Sequence, residues 1–435
     1  MVLARATQSV ITFADALQTE HLGPGALAAT ATGGLNVLCI SILPMGTVFI
    51  VQSFVAQLVG AGKRDEAPRF AAYGIVLAML AGILSLALIP AIGPVLSLTS
   101  YSPGVQSQMD DYMSIRLLSL AAAVGVEALG NWYGGLGNTW MQMITGIIQM
   151  VAAVFCNWLL IDGHLGAPAL GVAGAAWAAV IATWLGFAFL AFAYWRRWGG
   201  APKAKNPKLT LTEFRRVVRF GLPNGLNWFF DFAAFQVFVN VVLSSLGDET
   251  VAALNAVIAV NSIGFMPAFG LASAGAILAG QAIGAGTRDD VWPQVKMTLS
   301  CTMSWMGLVA IFYVTMPGRI LALFDSKGTS TALVSIGTTM LLLSAAWQLF
   351  DAIAMTLAET LRAAGDTFWT AAARISLAWL VFMPAAVLVV MRWDGGPSGA
   401  MLCLAGYLAL LALALGYRFR SGAWRHIELI ETKLL

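Results

Sequence analysis

The segment VAQLVGAGKRDE, residues 55–66, reappears later in the chain as AGQAIGAGTRDD, residues 279–290. This constant offset of 224 residues places Gln57 on Gln281 and Gly62 on Gly286. The same offset continues upstream without a gap and aligns Leu22, Gly23, Ala28 and Ala29 with Leu246, Gly247, Ala252 and Ala253. A repeat of this length exceeds a solenoid unit and is typical of a duplicated membrane bundle. We therefore predict two related halves.

The composition excludes a water-soluble globule. Hydrophobic residues make up 59% of the 435 residues and charged residues only 10%, whereas charged residues are about a quarter of an average soluble domain. The net charge of +3 is too small to indicate nucleic-acid binding. The four cysteines lie in apolar runs without a CxxC motif, so we expect neither a disulfide framework nor a metal or cofactor held by cysteine. An integral, all-α membrane protein is predicted.

Apolar runs of roughly 20 residues, the length that crosses a bilayer, predict twelve transmembrane helices, six in each half. They fall near residues 2–22, 27–58, 68–95, 112–136, 140–162, 170–195, 216–246, 250–283, 295–317, 331–362, 369–392 and 398–418. We predict an N-terminal bundle (1–198), a cytoplasmic linker (199–214), a C-terminal bundle (215–420) and a cytoplasmic tail (421–435).

The first helix of each predicted bundle carries a further signal at its start. Thr210 and Glu213 have the spacing of a capping box at the end of the linker. The repeat offset puts the counterpart of Pro223 one position before Met1. Either the native chain begins upstream, or the first helix is barely long enough to span the bilayer.

The positions of the 24 Lys and Arg predict the orientation, because basic loops are retained in the cytoplasm. We assign all of them, including Arg374, to one set of alternate connections and the two termini, apart from Arg116, Arg319, Lys327 and Arg392. This asymmetry predicts a multi-pass protein of the inner (plasma) membrane with both termini in the cytoplasm. The doubled GAG segment is interpreted as a cytoplasmic helix stop and not as a phosphate cradle, because neither copy ends in Gly-Lys-Ser.

Carboxylates in the middle of the membrane are costly and therefore point to function. Asp231 lies about 18 Å along its helix from Arg219, and Asp351 about 16 Å from Arg362, at 1.5 Å per residue. Two acids at matching depth would either hold an exchangeable proton or be neutralised by a bound Na⁺. The structural alternative is that each aspartate only hydrogen-bonds a neighbouring backbone group.

Three neighbours complete the candidate coupling-cation site. Trp347 lies one turn from Asp351, so that a bound cation would also meet an aromatic face. Asn227 shares a helix face with Asp231, and we add Asn255 of the eighth predicted helix. Glu359 is explained by an i, i+3 ion pair with Arg362.

Several segments in this order resemble one transporter family. They are the GAG pair, NWLLIDGHLGAPALGVAGAAWAAV (157–180), GLPNGLNWFFDF (221–232), NSIGFMP (261–267) and LRAAGDT (361–367). Over nearly the whole chain they resemble the multidrug and toxic compound extrusion (MATE) family, NorM-like branch. The resemblance implies a MATE/MOP-type fold of two pseudo-symmetric six-helix bundles. It also implies a monomeric secondary antiporter that exports cationic or amphipathic drug-like molecules in exchange for Na⁺ or H⁺ by alternating access.

The resemblance also assigns roles to individual residues. Asp231 and Asp351 match acidic positions of the seventh and tenth helices, and Trp347 matches a position that is often aromatic. Asp15 matches a first-helix aspartate that anchors a proton-responsive site in other members.

The corresponding site of the N-terminal bundle is less complete. Asn157 matches a polar position, but Ala153 and Ala179 stand where polar partners are common. Glu127 either lines the cavity of this bundle or extends to the membrane surface. We therefore favour the C-terminal pair as the coupling centre.

Two other function classes are weighed against the antiporter. A lipid-linked oligosaccharide flippase of the same superfamily would need basic residues inside the cavity, whereas Arg and Lys are assigned to loops. An enzyme is disfavoured, because His21, His164 and His426 are placed in loops or the tail and no HExxH or GxSxG motif occurs.

Overall fold

A computed structural model describes residues 18–19, 22–99, 101–204, 208–322 and 331–430. Within these ranges the regular structure is helical, with no strand. The helices are α1 (Pro24–Val48), α2 (Val51–Gly60), α3 (Pro68–Leu96), α4 (Pro103–Leu117), α5 (Leu120–Gly135), α6 (Trp140–Ile161), α7 (Val172–Trp195), α8 (Leu211–Val237), α9 (Asp248–Gly284), α10 (Val291–Thr315), α11 (Pro317–Ala322), α12 (Thr331–Ala363), α13 (Thr367–Ser376), α14 (Met383–Val387) and α15 (Gly396–Arg420). Phe238–Leu243, Leu377–Phe382 and Leu388–Arg392 are π-helical.

The helices have the length and surface of membrane spans. Ten spans in the described ranges are long and apolar enough to cross a bilayer, and α4 with α5, bent by 45°, provides an eleventh if the pair is one span. On α3, Met79, Leu80, Ile83 and Leu84 expose half or more of their surface, as side chains facing lipid do. The first of the twelve predicted helices, residues 2–22, falls almost entirely outside the described residues.

Two helices begin earlier than predicted. α4 begins at Pro103 and not near 112, because proline is favoured in the first turn of a helix and the polar residues that follow still permit helix. Asp110 and Asp111, which precede the predicted start of this helix, therefore lie within α4. α8 begins at Leu211, directly after the predicted capping residue Thr210.

The chain forms two compact units, which we call the N-lobe (to Gly225) and the C-lobe (from Leu226). The predicted C-terminal bundle began at 215, whereas the contacts assign residues 215–225 of α8 to the N-lobe. In the N-lobe, α6 packs on α7, α3 on α5 and α1 on α4. In the C-lobe, α12 is the central helix and packs against α9, α10 and α15. The C-lobe site is therefore built around α12.

The two GAG segments end their helices in the same way. Gly62 and Gly286 have φ values of 73° and 80°, in the left-handed region that favours glycine. Lys63 N donates to Leu58 O (2.9 Å) and Gly62 N to Val59 O (3.1 Å), the pair of bonds of a Schellman motif. Thr287 N and Gly286 N donate to Ala282 O (3.0 Å) and Ile283 O (3.1 Å). Both copies are thus helix stops, as the repeat predicts.

The repeat also extends to longer-range contacts. In the N-lobe, Arg64 Nη2 donates to the carbonyl of Gly200 at 3.1 Å. In the C-lobe, the equivalent Arg288 donates to the carbonyl of Arg425. The arginine after each GAG turn therefore binds the segment that follows the last helix of its predicted six-helix bundle, α7 in the first half and α15 in the second.

A buried polar cluster in the N-lobe fixes the start of α8. Glu213 N donates to Thr210 Oγ1 (3.3 Å), the first half of the predicted capping box. The Thr210 N–H is satisfied by the hydroxyl of Tyr73 (2.8 Å) instead of by the Glu213 carboxylate. That carboxylate accepts from Tyr73 OH (2.6 Å) and pairs with Arg69 Nη1 (2.8 Å). Arg69 also pairs with Glu66 at 2.6 Å.

Candidate functional site

A cavity of about 260 Å³ lies within the C-lobe. It is lined by Phe235, Leu254, Val257, Ile258, Asn261, Ser262, Phe265, Met306, Trp347, Gln348, Asp351 and Leu404. Among the residues that the structure describes, Asp351 is the only ionisable side chain in this lining. The tryptophan and the aspartate come from successive turns of α12, so the helical spacing brings an aromatic face and a carboxylate to the same space. The cavity therefore suits a cation that carries apolar groups.

The second predicted carboxylate is held by two side chains. Arg374 Nη1 of α13 lies 3.2 Å from Asp231 Oδ2. Tyr407 OH of α15 donates to Asp231 Oδ1 at 3.0 Å. The Asp231 side chain is 38% exposed and that of Arg374 23%, so the pair is only partly enclosed by the C-lobe. Phe235, one helical turn from Asp231 on α8, lines the cavity together with Asp351, so the pair adjoins that cavity.

Arg374 corrects the predicted distribution of basic residues. We assigned it to a cytoplasmic loop, whereas it lies in the span Thr367–Arg392. Counted from Thr367, it lies about 10 Å along the helix at 1.5 Å per residue. The ion pair with Asp231 explains how a permanent cation is accommodated at this depth, because intramembrane charges are stabilised by a partner of opposite sign.

Irregular helix surrounds the Asp231 and Arg374 pair. The π-helical segment 377–382 begins three residues after Arg374, and the segment 238–243 follows Asp231 by two turns. Trp379 Nε1 donates to the carbonyl of Phe230 at 3.2 Å, which connects the π-helical segment 377–382 to the backbone beside Asp231. π-helical turns are frequent at functional sites because they redirect side chains.

The two predicted asparagines, both in the described part of the chain, are not among the residues that line the cavity. Asn227 has a buried Oδ1 that finds no hydrogen-bond partner among the described residues. Asn255 is exposed and absent from the cavity lining. Asn261 lines the cavity instead, and its Oδ1 accepts from Gln348 Nε2 at 2.6 Å. Since six residues are about one and two-thirds helical turns, the two positions of α9 point in different directions.

The N-lobe candidates are placed separately. Glu127 Oε2 accepts a hydrogen bond from Asn131 Nδ2 at 2.8 Å, and Asn131 is fully buried. Glu127 is therefore held toward the interior of this lobe. Asn157 of α6 is buried, and Asp15 lies outside the described residues.

The predicted structural role of Glu359 is confirmed. Its carboxylate pairs with Arg362 Nη2, and both residues are buried. The sequence motif that follows also carries an ion pair that we did not predict. Asp366, 3% exposed, accepts from Arg418 Nε at 2.6 Å and from Arg418 Nη2 at 3.2 Å. These carboxylates belong to the framework and not to the cavity.

Comparison with known sequences gives one family and a consistent set of relatives. The family model described as MatE matches residues 1–159 and 229–388. The probable multidrug resistance protein NorM of Neisseria meningitidis (serogroup A / serotype 4A) is 27% identical over 425 residues, covering 95% of this chain and 90% of that protein. The multidrug resistance protein PmpM of Pseudomonas aeruginosa is 26% identical over 441 residues, covering 98% and 91%.

Solved structures share the fold. A MOP superfamily transporter from Pyrococcus furiosus superposes with a TM-score of 0.90 at 17% identity, covering 98% of this chain and 95% of that one. A eukaryotic MATE transporter, AtDTX14, superposes with a TM-score of 0.86 at 18% identity, covering 98% and 94%. The predicted fold, two six-helix bundles of the MATE/MOP type, is confirmed at the level of architecture.

Proposed function

This chain belongs to the MatE family of multidrug and toxic compound extrusion transporters, and from that premise we propose that it is a secondary active multidrug efflux antiporter. It exports cationic or amphipathic small molecules in exchange for Na⁺ or H⁺, by alternating access, from the inner membrane with both termini in the cytoplasm. It acts as a monomer in the bilayer and requires no cofactor beyond the coupling ion. Its relatives are named as multidrug resistance proteins, which supports the substrate class.

One observation carries this proposal: of the described residues that line the C-lobe cavity, Asp351 alone is ionisable, and the others are mainly apolar and aromatic. A carboxylate in such surroundings is stabilised when a cation or a proton neutralises it. Trp347 adds an aromatic face for an organic cation. The organic cation and the coupling ion compete for this carboxylate, so they cannot be bound there at the same time. Such mutually exclusive binding is what an exchange mechanism requires.

The alternative function, a flippase, would require basic residues inside the cavity. Arg374 is inside the C-lobe, but its charge is paired with Asp231. The trio of Asp231, Asp351 and Arg374 carries one net negative charge, which favours a cationic ligand over a pyrophosphate. The antiporter is therefore the better-supported function.

The proposal is tested by efflux of a fluorescent organic cation from proteoliposomes. A pH gradient and a Na⁺ gradient are imposed in separate experiments; we expect efflux under at least one of them, and none in protein-free liposomes under the same gradient. Dissipating the effective gradient with an ionophore should stop efflux. Efflux that is absent under both gradients would contradict the antiporter and favour the flippase.

A further inference from the structure

Arg374 changes what the two-carboxylate site can bind. Both oxygens of Asp231 already accept hydrogen bonds from side chains, Oδ2 from Arg374 and Oδ1 from Tyr407. A guanidinium stays protonated throughout the physiological range, so its positive charge is a fixed part of the protein. Asp231 therefore has a permanent counter-cation, which is contributed by α13.

The charge count then leaves one carboxylate to be neutralised. Asp231 and Asp351 contribute two negative charges and Arg374 one positive charge. Asp231 adjoins the cavity that Asp351 lines, since Phe235, one helical turn away, is part of the lining, and Arg374 and Tyr407 both bond to Asp231. Of the other helices packed on α12, α9 and α10 contribute Asn261, Ser262 and Met306 to the lining, none of which titrates. A single added positive charge completes the balance.

The remaining lining has few oxygen ligands for a metal cation. A hard cation such as Na⁺ is held by several oxygen atoms at once. Of the twelve lining residues in the described part of the chain, eight are apolar or aromatic, and the amides of Asn261 and Gln348 bond to each other at 2.6 Å. A proton, in contrast, requires only one carboxylate oxygen. The geometry therefore favours protonation of Asp351 over Na⁺ binding.

Resting on the proposed function, we propose that Arg374 is a built-in counter-cation that excludes Na⁺ from the C-lobe centre and makes Asp351 a one-proton exchange site. In each cycle the Asp351 carboxyl group gives its proton to water, and its carboxylate then holds the organic cation. On release of the cation, the carboxylate takes one proton from the opposite side. The O–H bond of the Asp351 carboxyl group is broken in the first step and formed again in the last. Because one monovalent cation is exchanged for one proton, the cycle moves no net charge across the membrane.

The first test measures ²²Na⁺ binding to purified protein in detergent, at alkaline pH where protons compete least. We expect no saturable binding by the wild type or by Arg374→Lys, which keeps the charge. Arg374→Gln should bind Na⁺ about tenfold or more tightly, because a nearby positive charge has been removed. The double variant Asp231→Asn, Arg374→Gln should lose that gain.

Saturable Na⁺ binding by the wild type would overturn the proposal, even if Arg374→Gln fails to fold. A folded, monodisperse Arg374→Gln that binds no Na⁺ would also overturn it. The same binding measurement remains decisive if the protein proves not to be an antiporter, because it does not depend on transport.

A transport arm separates this inference from the function on which it rests. Wild-type efflux under a pH gradient, with none under a Na⁺ gradient, supports the inference, and Arg374→Gln should acquire Na⁺-driven efflux. Wild-type efflux under a Na⁺ gradient alone would overturn the role of Arg374 and leave the antiporter intact. No efflux under either gradient would refute the antiporter.

Discussion

Asp351→Asn is expected to reduce gradient-driven efflux to the level of protein-free liposomes while the protein remains folded in the membrane. The substitution keeps the shape of the side chain but removes the carboxyl group that lines the C-lobe cavity, so this side chain can hold neither a proton nor a cation by its charge. The measurement is efflux of a fluorescent organic cation under the gradient that drives the wild type, with protein amount and monodispersity checked by size-exclusion chromatography.

The matched control is Asp290→Asn, which removes an exposed carboxylate in the turn after the second GAG segment. It should transport as the wild type does. Undiminished efflux by Asp351→Asn, or an equal loss in both variants, would show that the C-lobe carboxylate is not the coupling group.

Arg69→Met is expected to lower the free energy of unfolding by about 3 kcal/mol, because removing one partner of a buried ion pair leaves the other charge uncompensated. Glu213 is 3% exposed in this pair and would keep only its bond to Tyr73. Thermal unfolding followed by size-exclusion chromatography gives the comparison with the wild type.

Two companion variants test whether the pairing is the cause. Glu66→Gln removes the charge of the more exposed partner of Arg69 and should lower the free energy of unfolding much less than Arg69→Met does. The double variant Arg69→Met, Glu213→Gln should recover part of the loss, since no buried charge is then unpaired. A double variant as unstable as Arg69→Met alone would argue against the ion pair as the source of stability at the start of α8.

The repeat made the architecture predictable from sequence. Because Gly62 and Gly286 occupy the same register, the same left-handed turn was expected in both lobes, and both turns have it. Local spacing was equally informative for Glu359 and Arg362, which one helical turn brings together. These features depend on short-range geometry, which a sequence contains directly.

The composition of the site depended on contacts between distant helices and was only partly predictable. Counting residues from helix ends placed Asp231 and Asp351 at matching depth, but it treated Arg374 as a loop residue. Its position in the apolar run from Thr367 to Arg392 was the available signal. Tyr407 resembled the many aromatic residues of apolar helices, and nothing in its neighbourhood along the chain identified Asp231 as its partner. Choosing Asn261 over Asn255 required the rotation of α9, which sequence alone does not fix.

The central claim is that Asp351 alternately holds a proton and an organic cation, and it is tested most directly by counting protons. Purified protein in weakly buffered, mildly acidic detergent solution is titrated with a monovalent organic cation while the pH is recorded. Release of one proton per cation bound by the wild type, and of none by Asp351→Asn, is the expected result. Cation binding without proton release, or equal release by the variant, would contradict it.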